Sequence, residues 1–266
     1  MEIRDAGPIA LGSCLVSLLD PTPGEEVAFH RWYERDHFYA GCLIGPWFFA
    51  GRRFVATRPL KDLRFPERTP VVEKLERGTY LALYWILAGH HEEAERWAVT
   101  EVNHLIAQDR MLPSRRPAHA GFYRYRWGAF RDVDGVPAEL ALDHPYPGVA
   151  LVMIDREPDA DPAALERWLR EQHLPGCLSG SPAAMCLGFE PIPLPDTAPA
   201  YLARPPGLER RSLQVYFLEE DPRPSWSQLF EPQARALRES GLARISWAAP
   251  FIPTLPGTDR YTDELW

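Results

Sequence analysis

The chain has 266 residues, 45% hydrophobic and 25% charged, with a formal charge of −8 at pH 7. That length suits one large domain or two ordinary ones. The acidic balance argues against nucleic acid as a partner, since phosphate binding needs clustered Lys and Arg. No apolar run approaches the roughly 20 residues of a membrane span.

The opening "MEIRDAGPIALGS" has no basic stretch followed by an apolar core, so no secretory signal is expected. The four cysteines, Cys14, Cys42, Cys177 and Cys186, show no metal-like spacing. They are expected to stay reduced and buried in a cytoplasmic protein. The 28 prolines gather in clusters such as "DPTPG", "DHPYPG" and "DPRPSW", which read as ordered loops between elements.

In chain order, "LVSLLD" (Leu15 to Asp20) reads as a strand ending on an acid. A Pro- and acid-rich turn leads into a helix with Arg31-Trp32, then His37 and Gly41-Cys42. A second strand lies near "PWFFAGRRFVAT", and a third is "YLALYWIL" (Tyr80 to Leu87). The helical "EEAERWAVTEVNHLIAQDRM" and the strand "GFYRYRWGAF" follow. A join is expected near "VPAELALDHPYPG", after the Asp134-Gly135 turn.

The chain then repeats itself. "ALVMID" (Ala150 to Asp155) matches the first strand, and "LERWLREQHLPGC" matches "FHRWYERDHFYAGC". His173 follows Trp168 by five residues, as His37 follows Trp32. A strand near "AAMCLGFEPI", the strand "SLQVYFL", the helix "WSQLFEPQARALRES" and the strand "ARISWAAPF" complete a second set. Each half therefore reads βαββαβ, the ferredoxin-like plan. The predicted class is α+β, with tandem ferredoxin-like repeats packed sheet to sheet as an intrachain barrel. The expected boundaries are 1–140 for the first repeat, taken as the active half, 147–253 for the second and 254–266 for a tail.

This order, with "RWYERDH" and "RWLREQHLPG" after the first strand of each half, resembles the dimeric α+β barrel superfamily and, within it, the EthD-like group. The likeness spans nearly the whole chain as two fused copies. It implies an internal cavity whose mouth lies near His37 and His173. The superfamily hosts cofactor-free oxygenases, polyketide cyclases, isomerases, haem enzymes and non-catalytic proteins.

Several side chains carry candidate chemistry. His30, Glu34 and His37 fall on one helical stripe, but the second copy offers Glu166, Arg170 and His173 there, so a solvated face is the reading and no metal is expected. The Glu101–His104 pair lacks the second such pair a di-iron bundle needs. His37, at the end of its helix, is the proposed general acid or base, with Asp36 or Tyr39 to orient it. Tyr84 would stabilise an enolate or phenolate.

The first half is the richer in aromatics, and Trp32, Tyr33, Trp47, Tyr123 and Tyr125 are the candidate pocket lining, with His173 from the second copy. In "GFYRYRWGAF", Tyr123, Tyr125 and Trp127 share one face while Phe122, Arg124 and Arg126 share the other. Arg124 and Arg126 would point into a wet cavity and suit a carboxylate or phenolate. There is no GxGxxG, Walker-type loop, GxSxG or HExxH.

The expectation is a cofactor-independent enzyme acting on a hydrophobic aromatic or polyketide-like substrate, of cyclase, dehydratase, decarboxylase or isomerase type. The alternatives are a cofactor-free monooxygenase, a haem-binding tandem barrel and a non-catalytic ligand binder. The expected partner is a small molecule, with neither nucleic acid nor membrane. With both halves in one chain a monomer suffices, and free sheet edges would permit a homodimer.

Overall fold

The computed structural model describes residues 9–199 and 207–266. The first repeat contains β1 (Leu11–Asp20), α1 (Glu26–Trp32), β2 (Phe48–Val55), a short α2 (Arg58–Lys61), β3 (Tyr80–Leu87), α3 (His91–Ala107) and β4 (Arg116–Phe130). The second contains β5 (Gly148–Arg156), α4 (Pro162–Arg167), α5 (Leu174–Leu178), β6 (Ala183–Ile192), β7 (Arg211–Leu218), α6 (Pro222–Ser240) and β8 (Ala243–Pro253). Both repeats show the ferredoxin-like strand order, and together they form one tandem α+β barrel.

The sheet runs β1-β3-β2-β8-β5-β7-β6-β4 and closes on itself, every neighbouring pair antiparallel. The repeats meet at two seams. One is long, from Phe122↔Ile192 to Phe130↔Met185. The other is short, with only Phe54↔Pro253 and Val55↔Ile252 paired. Among the described strands closure leaves no free edge of the kind expected to support a dimer.

The barrel interior is packed, not hollow. Along β3, Leu81, Leu83 and Trp85 point inward and Tyr80, Tyr84 and Ile86 outward. The Trp85 ring lies 5.8 Å from Phe189 and 6.4 Å from Phe217, and its indole N–H donates to Ala138 O (3.0 Å) in the join between repeats. Tyr146 of the same join packs against Phe217, with tilted rings 5.3 Å apart. At the end where β3 begins, buried Arg64 donates to the carbonyls of Leu75, Arg77 and Gly78 and lies over the rings of Trp247 and Phe251. Five N–H donors let one guanidinium satisfy all three carbonyls.

The Asp that ends the first strand in each copy is structural. Asp20 accepts from Gly78 N, Thr79 N, Thr79 Oγ1 and Arg77 Nε, tying β1 to the start of β3. Burial works against its ionisation, but these donors hold its carboxyl below the usual range. Asp155 takes a two-pronged bond from Arg211 at the matching place in the second repeat.

The last thirteen residues do not trail away. They cross back onto the first repeat, where Leu265 is fully buried. Lys61 donates to Leu265 O (3.0 Å), Arg58 N to Glu264 O (2.7 Å), and Arg31 pairs with Asp259. No helix among the described residues is long and apolar enough to cross a membrane.

Candidate active site

The helix that carries His37 is not a plain α-helix. After α1 it continues through two π-helical turns, Tyr33–His37 and Tyr39–Leu43. Phe38 N–H bonds to Tyr33 O and Ile44 N–H to Tyr39 O, each five residues back. The wider turn places residues five apart one above the other. The imidazole of His37 therefore stacks on Trp32, with ring centroids 4.6 Å apart and planes 13° from parallel. The second repeat does the same through its π-helical turn Trp168–His173, where Trp168 and His173 stack at 4.7 Å and 11°. The repeated Trp–His spacing of five is the imprint of this turn.

His37 is clamped. Trp32 donates its indole N–H to Arg110 O (2.9 Å), and Tyr33 stacks against the imidazole at 5.3 Å. Gly41, one turn on, keeps this contact loose, because a Cβ at that position would lie a tight 3.2 Å from His37 Cε1. Nδ1 of His37 is buried without a hydrogen-bond partner among the described residues. Burial lowers its pKa to about 4, reinforced by Arg115, Arg110 and Arg53 against the opposing charge of Asp36. The ring is neutral at pH 7.

His37 faces a cavity between the outer side of the first sheet and the helices that cover it. Its non-atom space is about 810 Å³ including the open mouth, of which about 100 Å³ is available to the centre of a water molecule. Leu15, Ser17 and Leu19 of β1, Tyr84 of β3 and Ala120, Gly121 and Phe122 of β4 form its floor. Tyr33, His37, Gly41 and Cys42 form one wall, and Ala98, Val99 and Val102 of α3 another. Met111, Arg115 and Pro117, with Leu194, Ala198 and Pro199 after β6, complete the lining. The surface is mostly apolar with a few convergent polar groups, as ligand pockets are.

Those polar groups form a cluster. Tyr33 lies beside Tyr84 and Ser17, and Tyr84 beside Cys42, each close enough to act on the other's ionisation. Burial pushes the Tyr33 and Tyr84 phenols up, so both remain protonated donors at neutral pH. Behind Tyr33, buried Arg53 sits over the ring at 4.7 Å, with Nη2 3.4 Å from His30 Nδ1. His30 Nε2 donates to Thr258 O (2.9 Å), which fixes the neutral tautomer that accepts from Arg53.

The second repeat has filled the matching space. Tyr216 holds the position of Tyr84, but Gln214 stands where the first repeat has Ala82. Tyr216 donates to Gln214 Oε1 (2.8 Å), Gln233 Nε2 bonds to Gln214 Oε1 (3.0 Å), and the Phe230 ring packs edge-on against Tyr216. Four residues after His173 stands Cys177, with Sγ 3.3 Å from Nε2, where the first copy leaves the room beside Gly41.

Of the residues singled out in the sequence, His37, Tyr33 and Tyr84 line the cavity, and Trp32 supports His37 from behind. The rest lie elsewhere. Asp36 is paired with Arg110. Tyr39 is 51% exposed, outside the cavity, and Trp47 stacks on His90 at 3.6 Å. Tyr123 and Tyr125 point into the barrel, where Tyr123 bonds His119 (2.7 Å) and Tyr125 packs on Phe189. A bulge between Tyr125 and Trp127 breaks the expected alternation, so Trp127 turns out to pack over Gly188 beneath α4. Arg124 and Arg126 are exposed on the outer face, Arg126 reaching Glu190 (3.6 Å) and Glu166 (4.0 Å). Neither lines the cavity, and His173 belongs to the second repeat.

The stripe of His30, Glu34 and His37 is not the solvated face expected, since His30 is buried and lies 3.5 Å from Glu34. The π-turn takes His37 away from His30 and Glu34, and no group of three or more ligating side chains occurs among the described residues. The arginine that does line the cavity, Arg115, was not singled out from the sequence, nor were Ser17 beside Tyr33 and Cys42 beside Tyr84. Arg115 lies in a connection before β4, where no periodicity assigns a face.

No protein-family model and no curated protein matches the sequence. Solved structures do match in fold. A candidate chlorite dismutase is 11% identical, with 97% of this chain and 100% of that one aligned at a TM-score of 0.55. An anthrone oxidase-like protein is 9% identical over 95% and 98%, at 0.51. A candidate monooxygenase from Fusobacterium nucleatum subsp. nucleatum is 10% identical over 92% and 94%, at 0.49. At these identities what the first two share with this chain is the fold, the tandem ferredoxin-like α+β barrel.

Proposed function

We propose that the protein is a small-molecule enzyme that works without an organic cofactor, and that its reaction takes place in the first-repeat cavity. One observation carries the reading: a neutral imidazole whose buried nitrogen has no hydrogen-bond partner among the described residues, and a pair of protonated phenols, line the same apolar space. His37 takes a proton from a carbon or hydroxyl acid of the substrate. Tyr84, beside Tyr33, donates to the oxygen on which charge develops, and the imidazolium and enolate then stabilise each other in a water-poor site. Cyclisation, isomerisation, decarboxylation and cofactor-free oxygenation all pass through such an anion. The likeness of the Trp–His signature to the EthD-like group supports an aromatic or polyketide-like substrate.

Haem chemistry is the second reading that the fold brings with it. The residues fit it poorly. His37 is itself stacked between Trp32 and Tyr33, the matching space in the second repeat is filled, and His173 is stacked on Trp168. The wider polar groove beside β6 and β7 carries no His, Cys or Met among its described lining residues. An absorption spectrum of freshly purified protein with a Soret band would favour haem.

The test of the main reading is a screen of enolisable aromatic carbonyl compounds followed by His37→Gln. Proton transfer by a positioned side chain contributes roughly 10²–10⁴-fold, so kcat/KM is expected to fall by about that factor. The acid limb of the wild-type profile is expected near pH 4, because His37 must be deprotonated to accept. A His37→Gln protein that turns over at the parental rate sinks the proposal.

A further inference from the structure

We propose that Arg53 is the fixed positive charge of the site, a buried guanidinium behind Tyr33 that favours a substrate oxygen bound as its anion, and that the ligands selected are aromatic compounds with an acidic hydroxyl. This deepens, and rests on, the reading of the cavity as the substrate site.

Arg53 is 5% exposed, yet its one hydrogen-bond partner among the described residues is an uncharged imidazole, His30 Nδ1 at 3.4 Å. Its Nε and Nη1 are buried without a partner among those residues. Rings stand in for a counter-ion: the guanidinium carbon lies 4.7 Å from the centre of the Tyr33 ring and 5.6 Å from that of Tyr80. Glu34, the acid that acts on Arg53, does so less than the phenols of Tyr33, Tyr80 and Tyr84, and it leans instead on His30 at 3.5 Å. Such a charge is expensive to keep, and arginine does not shed its proton.

The fold does not require it. Arg53 pairs with Ala82 across the ladder, and Gly188 with Gln214, the counterpart of Ala82. Gly188 therefore occupies the place of Arg53, with Trp127 packed over it. Counting from the shared Trp32 and Trp168, Tyr33 and His30 become Leu169 and Glu166; counting from Tyr84 and Tyr216, Tyr80 becomes Ser212. The repeat whose matching space is filled thus lacks both the cation and the groups that surround it. Burial raises the phenols of Tyr33, Tyr80 and Tyr84, and Arg53 is the cation that opposes it in all three. On His37 it acts less than Arg115, Asp36 or Arg110. The charge therefore favours an anion at the phenols more than it penalises a proton on His37. Tyr33 and Tyr84 line the cavity, so an oxygen accepting from Tyr84 meets this charge across Tyr33.

Absorbance titration of the whole protein with 4-nitrophenol, whose anion is coloured, and calorimetry with its methyl ether, 4-nitroanisole, test this. Bound nitrophenol is expected to ionise at a proton concentration at least about tenfold higher than in free solution, as an opposite charge nearby requires. Arg53→Met is expected to remove that difference while nitroanisole still binds and the melting midpoint is kept or raised. Arg53→Lys is expected to retain part of the difference, and Arg235→Gln, on the far helix α6, all of it. Nitrophenol bound by the wild type without easier ionisation, or an undiminished difference in Arg53→Met, overturns the role of Arg53 and leaves the cavity reading standing. Loss of folding in both Arg53 variants makes the guanidinium a packing element and overturns the proposal as well. Binding of neither probe at millimolar concentration overturns the cavity reading itself. Easier ionisation beside unimpaired turnover in His37→Gln overturns the reaction chemistry and leaves the buried charge in its role.

Discussion

At the residue scale the decisive position is Gly41. The two copies of the helix are built alike, with Trp and His stacked across a π-turn, yet one repeat is open and the other shut. Part of the difference lies four residues after the histidine, where glycine stands in one copy and Cys177 in the other. Gly41→Ala would set a methyl group 3.2 Å from His37 Cε1, tight enough to make the ring or the helix give. One methylene's worth of misfit in an apolar pocket changes binding by roughly 10–200-fold. The variant is expected to lose ligand affinity within that range while keeping its thermal midpoint, since the neighbouring cavity can absorb the displaced ring. Calorimetry and a melting curve together check this. Full retention of affinity would mean that the space beside His37 is not where ligand sits.

At the scale of elements, the strands and main helices were legible because each carries its own pattern. "YLALYWIL" is a strand from Tyr80 to Leu87 in sequence and structure alike, and "AAMCLGFEPI" matches β6. What misled was β4. Strict alternation assigns Trp127 to the side of Tyr123 and Tyr125, and a single bulge reverses it. The bulge has no marker in "RYRWG" except the Gly128 that follows. The tail is the other element whose role was invisible, because its contacts lie more than 200 residues away. It seals the first repeat through buried Leu265, the Lys61 bond and the Arg31–Asp259 pair. Deleting residues 259–266 is expected to cost about 3–5 kcal/mol, the sum of one buried Leu and one stranded polar group. Hydrogen exchange is expected to quicken in α1 and not in α6. Unchanged protection of α1 would show that the tail is merely laid on the surface.

At the scale of the molecule, the duplication was readable and the location of the cavity was not. Two ferredoxin-like units with bare faces suggest a space between the sheets, but Trp85, Phe189, Phe217 and Trp247 fill it, and the room lies under the helices of one repeat. The same burial that fills the barrel also buries histidines. Five of the eight, His30, His37, His91, His119 and His173, have their pKa lowered, chiefly by desolvation. His119, inside the barrel and 6% exposed, falls to about 4, with Arg211 adding to the effect and Tyr123 bonded to it. A pKa depressed on folding means that the unfolded chain binds more protons, so stability is full above about pH 6.5 and is lost as pH falls toward 4. For His119 alone a shift of this size is worth about 3 kcal/mol. Glu95, whose carboxyl is pushed up by burial, works in the opposite sense but is a single group. Carboxylates held low, such as Asp20, add their loss only at still lower pH. The protein is therefore expected to lose much of its stability between pH 6.5 and 4, measured as urea midpoints across that range. His119→Gln, which keeps an acceptor for Tyr123 and removes the titration, is expected to flatten that slope. A wild-type midpoint that stays constant from pH 6.5 to 4 would show that these histidines can be protonated without opening the barrel.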